Sequence, residues 1–159
     1  MASMPPEQAK AEALARFQAP APEHINCGQA VLVYALLRLD EDPEGITQAR
    51  YFGGGITGMG ELCGVLNGTA LALGVRDLAL AERGIDAPQA TADQLKAILR
   101  DFGEEFGSRR CRELTGYDLS DPEGMAAFKA SEIRSRCSDY VVWAIDRLEP
   151  LLASAVATK

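Results

Sequence analysis

The stretch NCGQAVLVYALLRL, residues 26–39, decides how this chain must fold. Asn26 is a favoured helix N-cap, because its side-chain oxygen can accept an unpaired first-turn N–H. The run behind it, through Val31, Tyr34, Leu37 and Leu39, is apolar almost all round. A helix without a polar face must be surrounded by other elements, so this one is read as central. A second such helix is expected from Glu61 through Leu66 and Leu71 to Leu73, with Gly74 as its end. Two central apolar helices predict an all-α, single-domain helical bundle.

The flanking segments supply the surrounding helices. Pro5 and Pro6 suit a first turn, residues 7–17 are Ala-rich, and Pro20 and Pro22 end that element. Residues 1–22 are therefore an N-terminal helix and linker. Asp42-Pro43 opens a short helix that runs to Phe52. Residues 77–90 read as a polar connection. Thr91 is the expected cap of an amphipathic helix whose stripe is Leu95, Ile98, Leu99, Phe102 and Phe106, stopped by Gly107 and Ser108. Residues 122–133 are expected to be helical. The last helix is expected to start near Cys137, to bury Val141, Ala144, Ile145 and Leu148, and to finish near Pro150, with Tyr140 and Trp143 in the core. No segment alternates as a strand would.

Composition limits the partners. At 159 residues, with 47% hydrophobic and 25% charged residues, the chain is long and apolar enough for a core of its own. A net charge of −7 argues against nucleic acid, which needs a basic face, and against an anionic membrane surface. The N-terminal residues carry Glu7 and Glu12 and no apolar core of a signal peptide, so a cytoplasmic location is expected.

Four cysteines carry the chemistry: Cys27, Cys63, Cys111 and Cys137. No CxxC occurs among them, so only the fold can bring them together. Cys27 follows an N-cap, Cys63 follows a glycine-rich loop, Cys111 follows a helix stop and Cys137 heads the last helix. The positive end of a helix favours thiolate. Arg109, Arg110, Arg112, Arg134 and Arg136 lie within three residues of a cysteine, and cations act in the same direction if they turn towards the sulfur. The plain alternatives are a solvated basic face and four small hydrophobes filling helix contacts.

The loop before Cys63 is the other unusual feature. Gly53, Gly54, Gly55, Gly58, Gly60 and Gly64 crowd twelve residues. Such a loop can bring backbone close to a cofactor or to facing cysteines, or permit tight helix packing. No Gly-Lys-Ser/Thr follows, and no strand precedes it, so no nucleotide site is expected. Glu61, among apolar residues and glycines, is expected to be buried with a partner such as an arginine. His24 is expected in a solvent-exposed loop, with ligation of a metal the alternative reading.

Taken together, Asn26-Cys27-Gly28-Gln29-Ala30-Val31, the segment 53–74 with Cys63-Gly64-Val65-Leu66-Asn67-Gly68 at its centre, Cys111-Arg112-Glu113-Leu114-Thr115-Gly116, and Cys137 opening the last helix are a specific set in this order. In them the chain resembles the C_GCAxxG_C_C family of redox-active proteins, related to part of the split-Soret cytochromes c. The resemblance covers about residues 25–152, and Val65 stands where the family name has alanine. It implies a helical fold that gathers the four cysteines, and a redox or metal-binding role. No CxxCH occurs, so covalent haem is not carried over.

The first expectation is that Cys27, Cys63, Cys111 and Cys137 converge, at least Cys27 and Cys63 with one of the others, and ligate an iron–sulfur cluster or other thiophilic metal. Cys₄ is a complete ligand set for such a cluster and for zinc. The second is a metal-free thiol–disulfide protein, and the third a noncatalytic helical interaction module. The first two span an oxidoreductase and an electron-transfer protein, with an unidentified redox partner. Burying two all-apolar helices in a chain this short also predicts a homo-oligomer, most simply a homodimer.

Overall fold

The computed structural model describes residues 3–156. Its elements are α1 (Pro6–Gln18), α2 (Cys27–Leu39), a 3₁₀ helix (Pro43–Ala49), α3 (Gly64–Ala81), α4 (Pro88–Phe106), α5 (Cys111–Thr115), α6 (Pro122–Ala130) and α7 (Ile133–Val156). The architecture is all-α. Among the described residues, the only β-type pairing is a single antiparallel bridge between Leu62 and Arg110.

Helix α2 is central, as its composition requires. Residues 30–36 of this helix are all buried, and α3, α7, α1 and the 3₁₀ helix pack around them. Its start is a capping box: the Asn26 side chain accepts from the Gln29 N–H at 2.9 Å, and the Gln29 side chain accepts from the Asn26 N–H at 3.0 Å. The Asn26 amide also donates to the carbonyls of Ala49 and Arg50, at 3.1 and 2.9 Å. One side chain therefore holds the start of α2 and the end of the 3₁₀ helix together.

Helices α2 and α3 meet backbone to backbone. A Cβ added at Gly68 would sit 2.4 Å from the Gly28 carbonyl oxygen, and one added at Gly28 would sit 2.9 Å from that of Gly64. Neither position has room for any side chain. On the far side, Arg38 reaches Glu149 of α7 through two bonds of 2.9 and 2.7 Å, and Tyr34 donates to the same carboxylate. Burial alone would raise the Glu149 pKa, but these donors outweigh it and hold the group below the ordinary carboxylate range. Phe102 and Phe106 of α4 pack edge-on against Tyr140 and Trp143 of α7.

Several boundaries depart from expectation. Helix α3 begins at Gly64 rather than Glu61 and runs through Gly74 to Ala81. Beyond that glycine, Arg76 is buried and bonded to Asp77, Gln94 and Thr91, which anchors the added turns. Thr91 lies inside α4, which starts at Pro88, and its hydroxyl serves Asp77 at 2.9 Å instead of capping. Helix α7 starts at Ile133, four residues before Cys137, and continues past Pro150. Proline removes one helical bond there, but Leu148, Leu152 and Ala155 are buried on either side and hold the last turns in place.

Both apolar helices find most of their cover within the chain. Among the described residues, the large apolar side chains left exposed are Tyr51, Ile56, Met59, Leu78 and Ile85. No helix among the described residues is long and apolar enough to cross a membrane. Substituting Gly68 by alanine drives a methyl into the Gly28 carbonyl. Chemical denaturation is expected to report a loss of about 1–3 kcal/mol or more, the range for overpacking a close-packed contact. Alanine at Gly74, where nothing lies within 4 Å, is expected to be neutral or stabilising in the same assay.

Candidate functional site

All four cysteines are free thiols and all four line one cavity of about 400 Å³. Each is placed by a different element. Cys27 is the first residue of α2 and Cys63 the N-cap residue of α3. Cys111 opens the short helix α5, whereas Cys137 sits in the second turn of α7. The four thiols thus share one cavity, but the expected convergence on a common centre is not found. Among the described residues, no three Cys, His, Asp or Glu side chains are grouped to hold a metal ion.

Local backbone geometry brings Cys63 and Cys111 to the site. The Cys63 N–H donates to the Arg109 carbonyl and the Cys111 N–H to that of Glu61, both at 2.8 Å, and the Arg112 N–H donates to Gly60 at 3.1 Å. This is the Leu62–Arg110 bridge. It fastens the end of the glycine loop to the start of α5. Sequence reading missed it, because one bridged residue on each side leaves no alternating pattern.

The glycines work by close approach. A Cβ at Gly64 would be 2.6 Å from the Cys27 sulfur, and one at Gly55 would be 2.7 Å from Cys111 Cβ. At Gly60 it would lie 2.9 Å from Arg112 Cβ, and at Gly54 2.8 Å from the Gly58 Cα. Of the six glycines singled out above, Gly53 and Gly54 reach the cavity wall. Gly55, Gly58, Gly60 and Gly64 support it from outside. The N–H groups of residues 56–61 all donate to carbonyls of residues 51–56. The loop thus spends those donors on itself and cannot offer them to an anion. Ile56 and Thr57 hold positive φ of 64° and 49°, which β-branched residues rarely adopt. Such strain persists only where surrounding contacts impose it.

The four thiols differ in acidity. Cys27 is held below the ordinary thiol value, first by a hydrogen bond from the Cys63 thiol, against the effect of burial, with backbone N–H groups at Gly28 and Val65 adding to it. Cys63 is held well above it, because its proton is engaged by Cys27 and because it is buried. Burial pushes Cys111 up to about 11, with the negative charge at Cys27 second. Cys137 rises to about 12, again chiefly by burial, against the pull of Arg134 and Arg136.

That corrects the expectation of four activated thiols. Arg110 pairs with Glu61 at 3.2 Å and Arg112 with Asp118 at 3.0 Å, so neither serves Cys111. The glutamate expected to be buried is itself exposed, although its partner is an arginine as anticipated. His24 is half-buried rather than exposed. It lines the cavity, with Nδ1 2.6 Å from the Phe17 carbonyl and its ring 5.6 Å from the Phe17 ring.

With this geometry in view, comparison with protein families is direct. The family model described as "putative redox-active protein (C_GCAxxG_C_C)" matches residues 25–151. The chain belongs to that family of proteins, which are defined by their cysteines and named for redox activity. Neither a curated protein nor a solved structure matches the chain.

The inequality of the thiols has a direct readout. Alkylation with iodoacetamide, followed residue by residue by mass spectrometry across pH, is expected to modify Cys27 first and at the lowest pH. Removing the donor in Cys63→Ala should shift the Cys27 profile to higher pH by about one unit, the size of effect one lost charge-assisted hydrogen bond has. An unmoved profile would show that Cys63 does not set the acidity of Cys27.

Proposed function

We propose that the chain is a thiol–disulfide redox protein in which Cys27 is the attacking thiolate and Cys63 the resolving thiol. The observation that carries this is the placement of two thiols at the adjoining starts of α2 and α3 on one cavity, with Cys63 holding the Cys27 pKa down. Thiolate is the reactive form in disulfide exchange, and lowered acidity raises its fraction at neutral pH. Cys27 is half-buried and Cys63 is 5% exposed, and both line the cavity from which a disulfide would reach them.

The steps follow from that order. The Cys27 thiolate attacks one sulfur of a disulfide, the S–S bond breaks, and the other half leaves as a thiolate. Cys27 is now neutral in a mixed disulfide, so the bond and charge that kept Cys63 protonated are gone. Cys63 releases its proton and attacks the Cys27 sulfur, forming the Cys27–Cys63 disulfide and releasing the second thiolate. Two thiols are oxidised and one disulfide is reduced. Cys111 and Cys137 stay protonated at neutral pH and act as neutral walls of the cavity in this cycle.

Binding of an iron–sulfur cluster or other thiophilic metal by Cys27, Cys63, Cys111 and Cys137 is the second reading. Its support is that four thiols, a complete ligand set, line the same cavity. Such a centre would supply one-electron transfer, and the four thiols would have to deprotonate and draw inward to hold it.

One experiment separates the two. Protein purified anaerobically is assayed for iron and zinc and then treated with mild disulfide oxidant. The expected result is a Cys27–Cys63 disulfide, mapped by mass spectrometry, that is lost in Cys27→Ser. A stoichiometric metal together with four thiols resistant to oxidant would replace this reading with the second.

A further inference from the structure

The cavity carries more information than its sulfurs. The chain as a whole is acidic, with a net charge of −7, yet no Asp or Glu lines this cavity. Its charged wall residues are Lys129 and Arg134, both exposed, at the end of α6 and the start of α7. The rest of the lining is largely apolar, with Phe17, Val65, Leu114, Leu119, Met125 and Phe128 as its main side chains. A volume of about 400 Å³ falls within the range of sites for small organic molecules.

Helix α6 gives an independent indication. None of its residues is buried. Met125, Phe128 and Lys129 stand at helical i, i+3 and i+4 spacing, and all three line the cavity. Phe128 packs edge-on against Tyr117 at 6.1 Å between ring centroids, but it and Met125 stay only partly buried, and an apolar occupant of the cavity would complete their cover. The lysine beside them supplies a charge at its edge.

We propose that this cavity binds a small aliphatic carboxylate, apolar along its body and anionic at one end, and that a member of this class carrying a disulfide oxidises the Cys27–Cys63 pair. The redox half of the statement rests on the function proposed above. The carboxylate sits at Lys129 and Arg134, and the body lies along Met125, Phe128 and Leu119. The disulfide then meets Cys27, which lines the same cavity. The exchange is the one already written: Cys27 attacks the ligand's S–S bond, Cys63 resolves the mixed disulfide, and the ligand leaves as a dithiol, one sulfur taking the proton that Cys63 gives up and the other taking a proton from water. The wall is selective by charge. A neutral aliphatic disulfide gains the apolar contacts but not the ion pairs, and a polar peptide disulfide gains neither in full.

The test uses octanoate as a redox-inert probe, octanamide as its neutral counterpart and lipoate as a carboxylate that carries a cyclic disulfide. Calorimetry on the reduced protein is expected to show octanoate binding, and saturating octanoate is expected to slow iodoacetamide alkylation of Cys27. Lys129→Ala and Arg134→Ala are exposed changes that leave the core intact. Each is expected to weaken octanoate about fivefold, the upper range for an exposed ion pair, and to leave octanamide unchanged. Lipoate is expected to oxidise the pair faster than lipoamide does, and the two substitutions should remove that difference.

Absence of octanoate binding, equal losses for octanoate and octanamide, or binding that leaves Cys27 alkylation untouched would each overturn the proposed ligand class. If octanoate fails but a small neutral disulfide still oxidises Cys27 and Cys63, the ligand class falls and the redox function stands. If octanoate binds and protects Cys27 while neither lipoate nor a neutral disulfide oxidises the pair, the redox function falls and the carboxylate site stands.

Discussion

The contact on which the rest depends is the one between Gly28 and Gly68, where α2 and α3 touch through backbone alone. Any side chain on either glycine would collide with main-chain atoms that cannot move aside. The approach is close enough to bring the two helix starts side by side, and Cys27 and Cys63 sit at those starts. The influence of Cys63 on the acidity of Cys27 is therefore a consequence of helix packing. Gly64 continues the same logic, since the Cys27 sulfur occupies the space where its side chain would be. Packing at the centre of the bundle and acidity at the site are one constraint seen at two places.

Most of the helical framework could be read from residues whose effect is local. Asn26 and Gln29 form a capping box that needs nothing from the rest of the chain, and the start of α2 was legible for that reason. Gly107 ends α4 in a left-handed conformation, as a glycine after a periodic apolar stripe suggests. Where reading went astray, a distant contact had overruled a local preference. Gly74 and Pro150 are weak helix formers, but buried residues further along each helix carry it through them. Thr91 is a good cap by type and is bonded to Asp77 and Arg76 instead.

The site was legible in its members and not in its inequality. Helix starts and neighbouring arginines pointed to four similar thiolates. Burial, which sequence shows poorly at half-apolar positions, pushes three of the four the other way. Arg110 and Arg112 flank Cys111 along the chain, but each pairs with a carboxylate. Only the fourth thiol escapes, because it alone receives a hydrogen bond strong enough to outweigh burial. Proximity along the chain is a poor guide to which charges meet.

The bridge between Leu62 and Arg110 has an architectural consequence. The chain leaves the site at Cys63, travels out along α3, returns along α4 and is fastened again at Arg109 and Cys111. Residues 64–108 are thus an excursion clasped at its base, with both ends tied to the same few atoms. The far end of that excursion, around the turn at residues 82–87, is moored separately, because Arg83 donates to the Ala155 carbonyl at 2.9 Å. The excursion is therefore held at two places, at its base by the bridge beside Cys63 and Cys111 and at its tip by the last turns of α7.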